Sequence, residues 1–285
     1  MMRGRHSKRR IHILWFWGLL VTGGMQARAA ALNTPPEPTA IEARQDRFDS
    51  EPSFETLSPL LEHMLLKKDR SNLASYLSML AHYATTPEQK AWSWHYRGQY
   101  ALLNDDFCAA HIAAMELQHG HAIQANVELL AMLLAFQQQK LIPHEALTCA
   151  FERSRSMALH RGLKRSQSIF LNIQFATDSH VLSPFGMKQM ASVTEALLNV
   201  EMRNFELHLV GHADARGSLD YNQSLSERRA QTLKRFLVLK GKMKASKIIA
   251  IGAGETLPLV AGDHAEAHAL NRRVEIFFSP KPGEM

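Results

Sequence analysis

Asp214 and Arg229 are the two residues whose types and spacing best suit ligand binding. Asp214 follows a segment that alternates as a strand over residues 206–210, and open α/β sheets bind ligands at the carboxyl ends of their strands. Arg229 lies 15 residues later, in a segment with helical periodicity that can fold back beside that strand. An acid and a guanidinium in one pocket suit a zwitterion, because the carboxylate accepts an ammonium group and the guanidinium binds a carboxylate in bidentate fashion.

Two other interpretations of this pair remain open from the residues alone. Taken singly, Asp214 would be a surface loop acid and Arg229 a solvated helix arginine. The two residues could also form an ion pair that only stabilises the fold, and exposed pairs of this kind contribute about 0–1 kcal/mol.

Other residues offer weaker evidence for chemistry. Of the 15 histidines, His264 and His268 have the four-residue spacing of metal ligands on a helix, but their segment is expected to be a loop and no third ligand stands out. The sequence has no nucleophile elbow of the Gly-x-Ser-x-Gly type, no His-Glu-x-x-His motif and no phosphate-binding loop. We therefore expect a binding protein and not an enzyme, with no catalytic residue, no metal and no cofactor.

The positive charge of the chain is concentrated at its start. The formal net charge is +6, yet six basic residues and no acid lie before Ala30, so the remainder carries as many basic as acidic residues. This balance argues against a nucleic-acid partner. A basic stretch, an apolar run over 11–21 and the sequence Ala-Arg-Ala at 27–29 together predict a signal peptide in residues 1–29. A retained membrane anchor is the alternative.

The two cysteines could form a disulfide if the protein is exported. An oxidising compartment permits a disulfide between Cys108 and Cys149, which would lie on the second helices of neighbouring hairpins. Two buried free thiols are the equally weighted alternative.

The chain before residue 166 predicts a linker followed by helices. Residues 30–53 are rich in proline and charge, which is typical of a flexible linker. Residues 54–160 have apolar residues at spacings of three and four throughout and six regularly placed helix starts, which predict a domain of helical hairpins. A partial match around Trp94 and Gly98 makes a tetratricopeptide-like array one form that this stack could take.

From residue 166 onward, strands alternate with helices. The pattern predicts strands at 169–175, 206–210, 247–251 and 271–278, with one helix over 184–200 and another that Asp220 caps and that ends before Gly241. The protein is thus predicted to be α+β overall. An all-α region precedes an α/β sandwich whose sheet is mixed or parallel and is covered by helices.

Four motifs of the C-terminal region resemble those of the OmpA-like peptidoglycan-binding domain. The likeness extends over residues 166–280, and its motifs lie at 173–179, 211–217, 221–230 and 271–276. Their order and spacing are similar to those of the family. The resemblance implies that the C-terminal domain binds peptidoglycan.

The resemblance also implies roles for individual residues. The family's ligand is the meso-diaminopimelate of the stem peptide, whose ammonium group is assigned to Asp214 and whose carboxylate is assigned to Arg229. Of the Arg272–Arg273 pair, placed on the last strand, one is expected to support the site and the other to be solvated. Backbone N–H groups of Thr177, Asp178 and Ser179 are expected to add hydrogen bonds to the ligand carboxylate. Asn222 is expected to order the loop, and His212 is expected to line the ligand groove.

These observations predict an exported protein of a Gram-negative cell envelope. It would be held non-covalently on the peptidoglycan, in the periplasm or at the outer membrane, and residues 54–160 would bind an envelope protein partner. The alternative is a periplasmic scaffold subunit of a secretion, motility or pilus machine, in which attachment to the wall only positions the helical domain. A third hypothesis, a cell-wall hydrolase, is not supported, because the sequence offers no catalytic pair.

Overall fold

The computed structural model describes residues 39–118, 123–160 and 167–281. The predicted signal peptide lies outside these residues. The chain divides into two compact units, one up to Pro52 and one from Ser53 onward. The first unit contains helix α1, Thr39–Ser50, so the expected linker over residues 30–53 is in part helical. The physical reason is that Thr39–Ser50 has several strong helix formers and no proline.

Six helices open the second unit, in the order that the sequence predicts. Their starts are encoded locally, because Ser53 and Thr86 form capping boxes with Thr56 and Gln89. The helices are α2 (Phe54–Lys67), α3 (Leu73–Tyr83), α4 (Pro87–Leu103), α5 (Phe107–Leu117), α6 (Ile123–Gln137) and α7 (His144–His160).

Neighbouring helices of this region pack against each other as hairpins, and a disulfide joins two of them. Helix α4 packs on both α5 and α6, and α5 packs on α7. Cys108 on α5 is bonded to Cys149 on α7, with 5.8 Å between their Cα atoms. The cysteines are therefore not free thiols in this structure, and their bond connects two successive hairpins.

The C-terminal part contains a mixed four-stranded sheet, as predicted. Its strand order is β1-β4-β2-β3, with β4 antiparallel to β1 and β2, and β2 parallel to β3. The strands are β1 (Ile169–Leu171), β2 (Phe205–Gly211), β3 (Ile248–Gly252) and β4 (Val274–Pro280), and the helices between them are α8 (Pro184–Leu198), α9 (Leu219–Lys240) and α10 (Ala265–Asn271).

The ends of several elements differ from the sequence prediction. Ser218, and not Asp220, caps α9, because the Ser218 hydroxyl accepts a hydrogen bond from the Tyr221 N–H at 3.2 Å. Asp220 lies in the first turn, where its charge suits the helix dipole. The expected loop around His264 contains the short helix α10, with the His264 ring accepting from the Ala267 N–H at 3.2 Å.

The helical region and the sheet share one hydrophobic core. The ring of Phe151 on α7 packs edge-on against that of Phe278 on β4, with ring centroids 6.1 Å apart. Helix α7 also packs on α8. The two regions expected as separate domains, 54–160 and 166–280, therefore form one compact unit in the part of the chain that the structure describes.

Two glutamines of the helical region satisfy the backbone of the edge strand β1. Gln118 exchanges hydrogen bonds with Ser168, accepting from its N–H at 2.9 Å and donating to its carbonyl at 2.7 Å. Gln137 accepts from the N–H of Asn172 at 2.8 Å and donates to the carbonyl of Phe170 at 3.1 Å. These amides take the place of a neighbouring strand. Strand β1 ends at Leu171, earlier than predicted, where its antiparallel partner β4 begins at Val274.

Two histidines are buried among the helices in their neutral form. His95 is hydrogen-bonded to the carbonyl of Ala125 at 3.0 Å, and burial lowers its pKa to about 4. His111 is fully buried against the ring of Phe107, and burial lowers its pKa to about 3. Neither ring nitrogen of His111 has a hydrogen-bond partner among the described residues.

Among the described helices, none is both long and apolar enough to cross a membrane.

We expect His111 to make folding stability fall in acid. Below the ordinary histidine pKa of 6.5 the unfolded chain takes up a proton that the folded chain rejects, so the free energy of unfolding decreases as the pH drops. His111→Leu should reduce this loss by up to about 1.4 kcal/mol per pH unit between about pH 6 and about pH 4.5. Urea unfolding across this range measures it. An unchanged slope, equal to that of the exposed control His82→Leu, would contradict the prediction.

The disulfide should contribute much of the stability of the helical region. In the chain-entropy model, a bridge across 41 residues stabilises the folded state by about 3–4 kcal/mol. The double variant Cys108→Ser, Cys149→Ser should lose that amount in urea unfolding. As a control, reductant should destabilise the wild type and leave the double variant unchanged.

Candidate ligand site at the loop between β2 and α9

The candidate site lies where β2 ends and α9 begins. Two glycines allow α9 to lie directly on the strands: a Cβ on Gly211 would be 2.5 Å from the carbonyl oxygen of Ser226, and one on Gly252 would be 2.5 Å from the backbone nitrogen of Glu227. No other residue type fits at such a distance without backbone movement. This close packing carries Arg229, further along α9, to the same end of the sheet as Asp214.

Asp214 is a buried and ionised carboxylate. Only 7% of its side chain is exposed. It accepts hydrogen bonds from the backbone N–H and the guanidinium of Arg216, and from the guanidinium of Arg272. Burial by itself raises the pKa of this carboxyl, but the hydrogen bonds from the two arginines outweigh burial and hold the pKa well below its usual range.

Arg229 is half-buried beside Asp214 without forming an ion pair with it. Its Nε donates to the carbonyl of Ser179 at 3.0 Å, and its guanidinium carbon lies 5.0 Å from the centroid of the Phe175 ring. Burial lowers the pKa of Arg229, and the nearby charge of Arg272 lowers it further. Among the described residues no carboxylate lies within ion-pair distance of Arg229. A purely structural Asp214–Arg229 pair is therefore not what this site contains.

The loop after Phe175 contains the backbone N–H groups that were expected to bind the ligand carboxylate. The N–H of Ser179 donates to the carbonyl of Ala176 at 3.2 Å. Contrary to the expectation from the sequence, this N–H is therefore not available to the ligand carboxylate. Thr177 and Asp178 are exposed, and Asp178 adopts a left-handed conformation with φ of 49°. Within the described ranges no acceptor faces the N–H of Thr177 or of Asp178, which leaves both groups open to a ligand.

Asn222 holds the loop that carries Asp214. Its side-chain N–H₂ group donates to the backbone carbonyls of Asp214 and Arg216, both at 3.0 Å, and also to the carboxylate of Glu255. Asn222 is buried on the first turn of α9. It therefore ties the loop to the helix that follows it.

The two consecutive arginines differ from the sequence prediction. Both precede β4, which begins at Val274, so strand alternation does not separate them. Arg272 binds Asp214, whereas Arg273 is buried and donates to the carbonyl of Leu257 at 3.0 Å. Burial lowers the pKa of Arg273 to about 10. The expectation that one of the pair is solvated is wrong, because Arg273 is covered in the folded protein.

His212 lies beneath the loop and does not line an open groove. Only 1% of its side chain is exposed, and its Nε2 is 3.4 Å from a carboxylate oxygen of Glu275. Burial lowers its pKa, although hydrogen bonding to Glu275 acts in the opposite direction. The sequence could not show this, since the burial of His212 depends on the neighbouring strand β4.

Arg216 and Phe175 are the main contributors that the sequence analysis left without a role. The spacing of Arg216, two residues after Asp214, is that of an Asx turn and could have indicated the contact. Within the described part of the chain, no group of three or more histidine, cysteine or acidic residues is placed to hold a metal ion. His264 and His268 are engaged elsewhere, in capping α10 and in a contact with Asp263 at 2.9 Å.

Comparison with known proteins places this site in a family domain. Residues 174–272 match the model of the OmpA family. The C-terminal region is an OmpA-like domain. The match confirms the predicted resemblance and includes Asp214, Arg229 and Arg272.

Similar proteins share this domain and not the whole chain. The chain is 34% identical over 109 residues to the probable lipoprotein YiaD of Escherichia coli, covering 38% of this chain and 48% of that protein. It is 34% identical over 102 residues to the peptidoglycan-associated lipoprotein of Pseudomonas aeruginosa, covering 36% and 58%. Thus it spans about half the length of these relatives. Among solved structures it is similar to the cell wall anchor of the T6SS from Pseudomonas aeruginosa, at 25% identity with a TM-score of 0.37, covering 46% of this chain and 97% of that one.

Removing the Asn222 amide should loosen the OmpA-like domain. Asn222→Ala leaves two loop carbonyls and a carboxylate without their donor, and the expected loss of unfolding free energy is about 1–3 kcal/mol. Urea unfolding measures it. The exposed neighbour Gln223 provides the control, since Gln223→Ala removes one solvent-accessible hydrogen bond to Gly252 and should cost less. Equal losses in the two variants would show that Asn222 does not have this role.

Proposed function

We propose that this protein binds peptidoglycan non-covalently through its OmpA-like domain and is thereby held at the cell wall in a Gram-negative envelope. One of its relatives is named as a peptidoglycan-associated lipoprotein, which supports this class of ligand. The match to the OmpA family model over the same residues supports it further.

The observation that carries the proposal is the half-buried guanidinium of Arg229. A charge withdrawn from water is costly unless another charge compensates it. Asp214 and Asp178 act on Arg229 from a distance, but none of the described carboxylates forms an ion pair with it. Its Nε is committed to the Ser179 carbonyl, and this contact orients the guanidinium. Neither terminal nitrogen has a hydrogen-bond partner in the part of the chain that the structure describes, so both can bind a carboxylate of the ligand in bidentate fashion.

The ligand that fits this arrangement is the zwitterionic side-chain end of meso-diaminopimelate. Its carboxylate would bind Arg229, and would also lie near Arg272, whose charge lowers the pKa of Arg229. A carboxylate near both guanidinium groups relieves this repulsion, and the open N–H groups of Thr177 and Asp178 can add hydrogen bonds. The ammonium group would bind the ionised carboxylate of Asp214.

The helical region is proposed to bind a protein partner in the envelope. Its support is the core that helices α4–α7 share with the sheet, because a partner held by these helices would be positioned by the attachment to the wall. The same observation favours the second candidate, a scaffold subunit of an envelope machine. Capture of a stoichiometric envelope protein by the full chain, but not by the full chain with substitutions on the exposed faces of the helices, would favour the scaffold. Neither candidate includes a catalytic step.

Sedimentation with purified peptidoglycan sacculi tests the site. Wild-type protein should pellet with sacculi that contain diaminopimelate, and Asp214→Asn and Arg229→Gln should each remain in the supernatant. The reason is that loss of one charge-assisted contact of this kind costs about 2–5 kcal/mol. The matched controls are Asp220→Asn and Arg228→Gln, which remove the same charges from exposed positions nearby and should pellet like the wild type.

The outcomes separate the two parts of the proposal. Wild-type protein in the supernatant would contradict peptidoglycan binding. Wild type and both site variants in the pellet would contradict the assignment of Asp214 and Arg229. Sacculi with lysine in place of diaminopimelate should bind weakly, because lysine lacks the side-chain carboxylate that Arg229 would contact.

A further inference from the structure

The carboxylate of Asp214 is already fully occupied in the protein without ligand. A carboxylate offers about four lone-pair sites to hydrogen-bond donors. Oδ1 accepts from the backbone N–H and the Nε of Arg216, both at 3.1 Å, and Oδ2 accepts from the Nη2 of Arg216 at 2.8 Å and from the Nη1 of Arg272. No lone pair is left for the ammonium group of a ligand, so an existing donor must move before that group can bind.

Arg216 is the donor that can leave most easily. Its side chain is 62% exposed, against 38% for Arg272 and 7% for the carboxylate that both arginines bind. An exposed guanidinium regains its hydration when it turns into solvent. It also makes two side-chain hydrogen bonds to Asp214 in fork geometry, so its departure frees one lone pair on each oxygen. The backbone N–H of Arg216 stays in place and keeps the turn intact.

We propose that Arg216 is an internal competitor of the ligand, whose guanidinium occupies the ammonium position on Asp214 and is displaced when the ligand binds. This inference rests on the proposed function and names a residue that sets the specificity of the same site. Between binding events, Arg216 keeps the buried carboxylate compensated, which an empty site would not do.

The competition has a consequence for specificity. A ligand with a free ammonium group can replace the guanidinium charge for charge, whereas a neutral amide at that position cannot. Arg216 therefore selects stem peptides whose diaminopimelate amine is free, and disfavours those in which the amine is blocked or cross-linked. Arg229 and Arg272 do not distinguish a free amine from a blocked one, because they would face the carboxylate of the ligand.

The test is calorimetric titration of the full chain with a soluble stem peptide that contains diaminopimelate with a free side-chain amine. Arg216→Ala should bind about two- to five-fold more tightly than the wild type, the size expected when one exposed ion pair no longer has to be broken. Arg216→Lys keeps a competing cation and should bind within about two-fold of the wild type. Arg228→Ala is the matched control for the loss of one exposed positive charge from this domain.

A second peptide, acetylated on the side-chain amine, distinguishes competition from a structural role. It cannot displace Arg216, so the gain from Arg216→Ala should disappear. If Arg216 only supported the loop or contacted the ligand, Arg216→Ala would bind the free-amine peptide equally or more weakly, and this result would overturn the inference while leaving peptidoglycan binding intact. Failure of the wild type to bind the free-amine peptide would overturn both.

Discussion

The buried charge of Asp214 is the constraint on which the candidate site depends. A carboxylate with so little exposure stays ionised only if positive donors surround it. Arg216 follows β2 in the chain, Arg272 precedes β4, and both donate to Asp214. The loop can bring these donors together because Asn222 fixes its carbonyls to α9. The helix in turn reaches this position because glycines on β2 and β3 let it lie against the strands.

Three guanidinium groups lie near Asp214 at this end of the sheet, and the charge of Asp178 acts on two of them, Arg216 and Arg229. Two of them compensate Asp214, and the third, Arg229, is held by a backbone carbonyl and an aromatic ring without a carboxylate among the described residues. Arg229 is therefore a half-buried cation with no ion-pair partner among the described residues, and its partial removal from water strengthens its attraction to an anionic group.

The helical region is part of the same compact unit as the ligand site. The side-chain amides of Gln118 and Gln137 bond the backbone beside and within the edge strand β1, and the ring of Phe151 on α7 packs into the core of the sheet. The disulfide between α5 and α7 adds a covalent tie within the helical part.

The sequence by itself determined most of the secondary structure and the identity of the domain. Periodicity, caps and glycines are local signals, so the helices from α2 to α9 and the strands could be predicted in their order along the chain. The same sequence signals selected Asp214 and Arg229 as candidate ligand residues. Tertiary structure alone decided that Arg272 binds Asp214, that His212 and Arg273 are buried, and that Gln137 bonds the edge of β1, whereas the spacing of Arg216 from Asp214 is a local signal. The features that tertiary structure decided depend on residues that are distant in the chain, and no local pattern encodes such contacts.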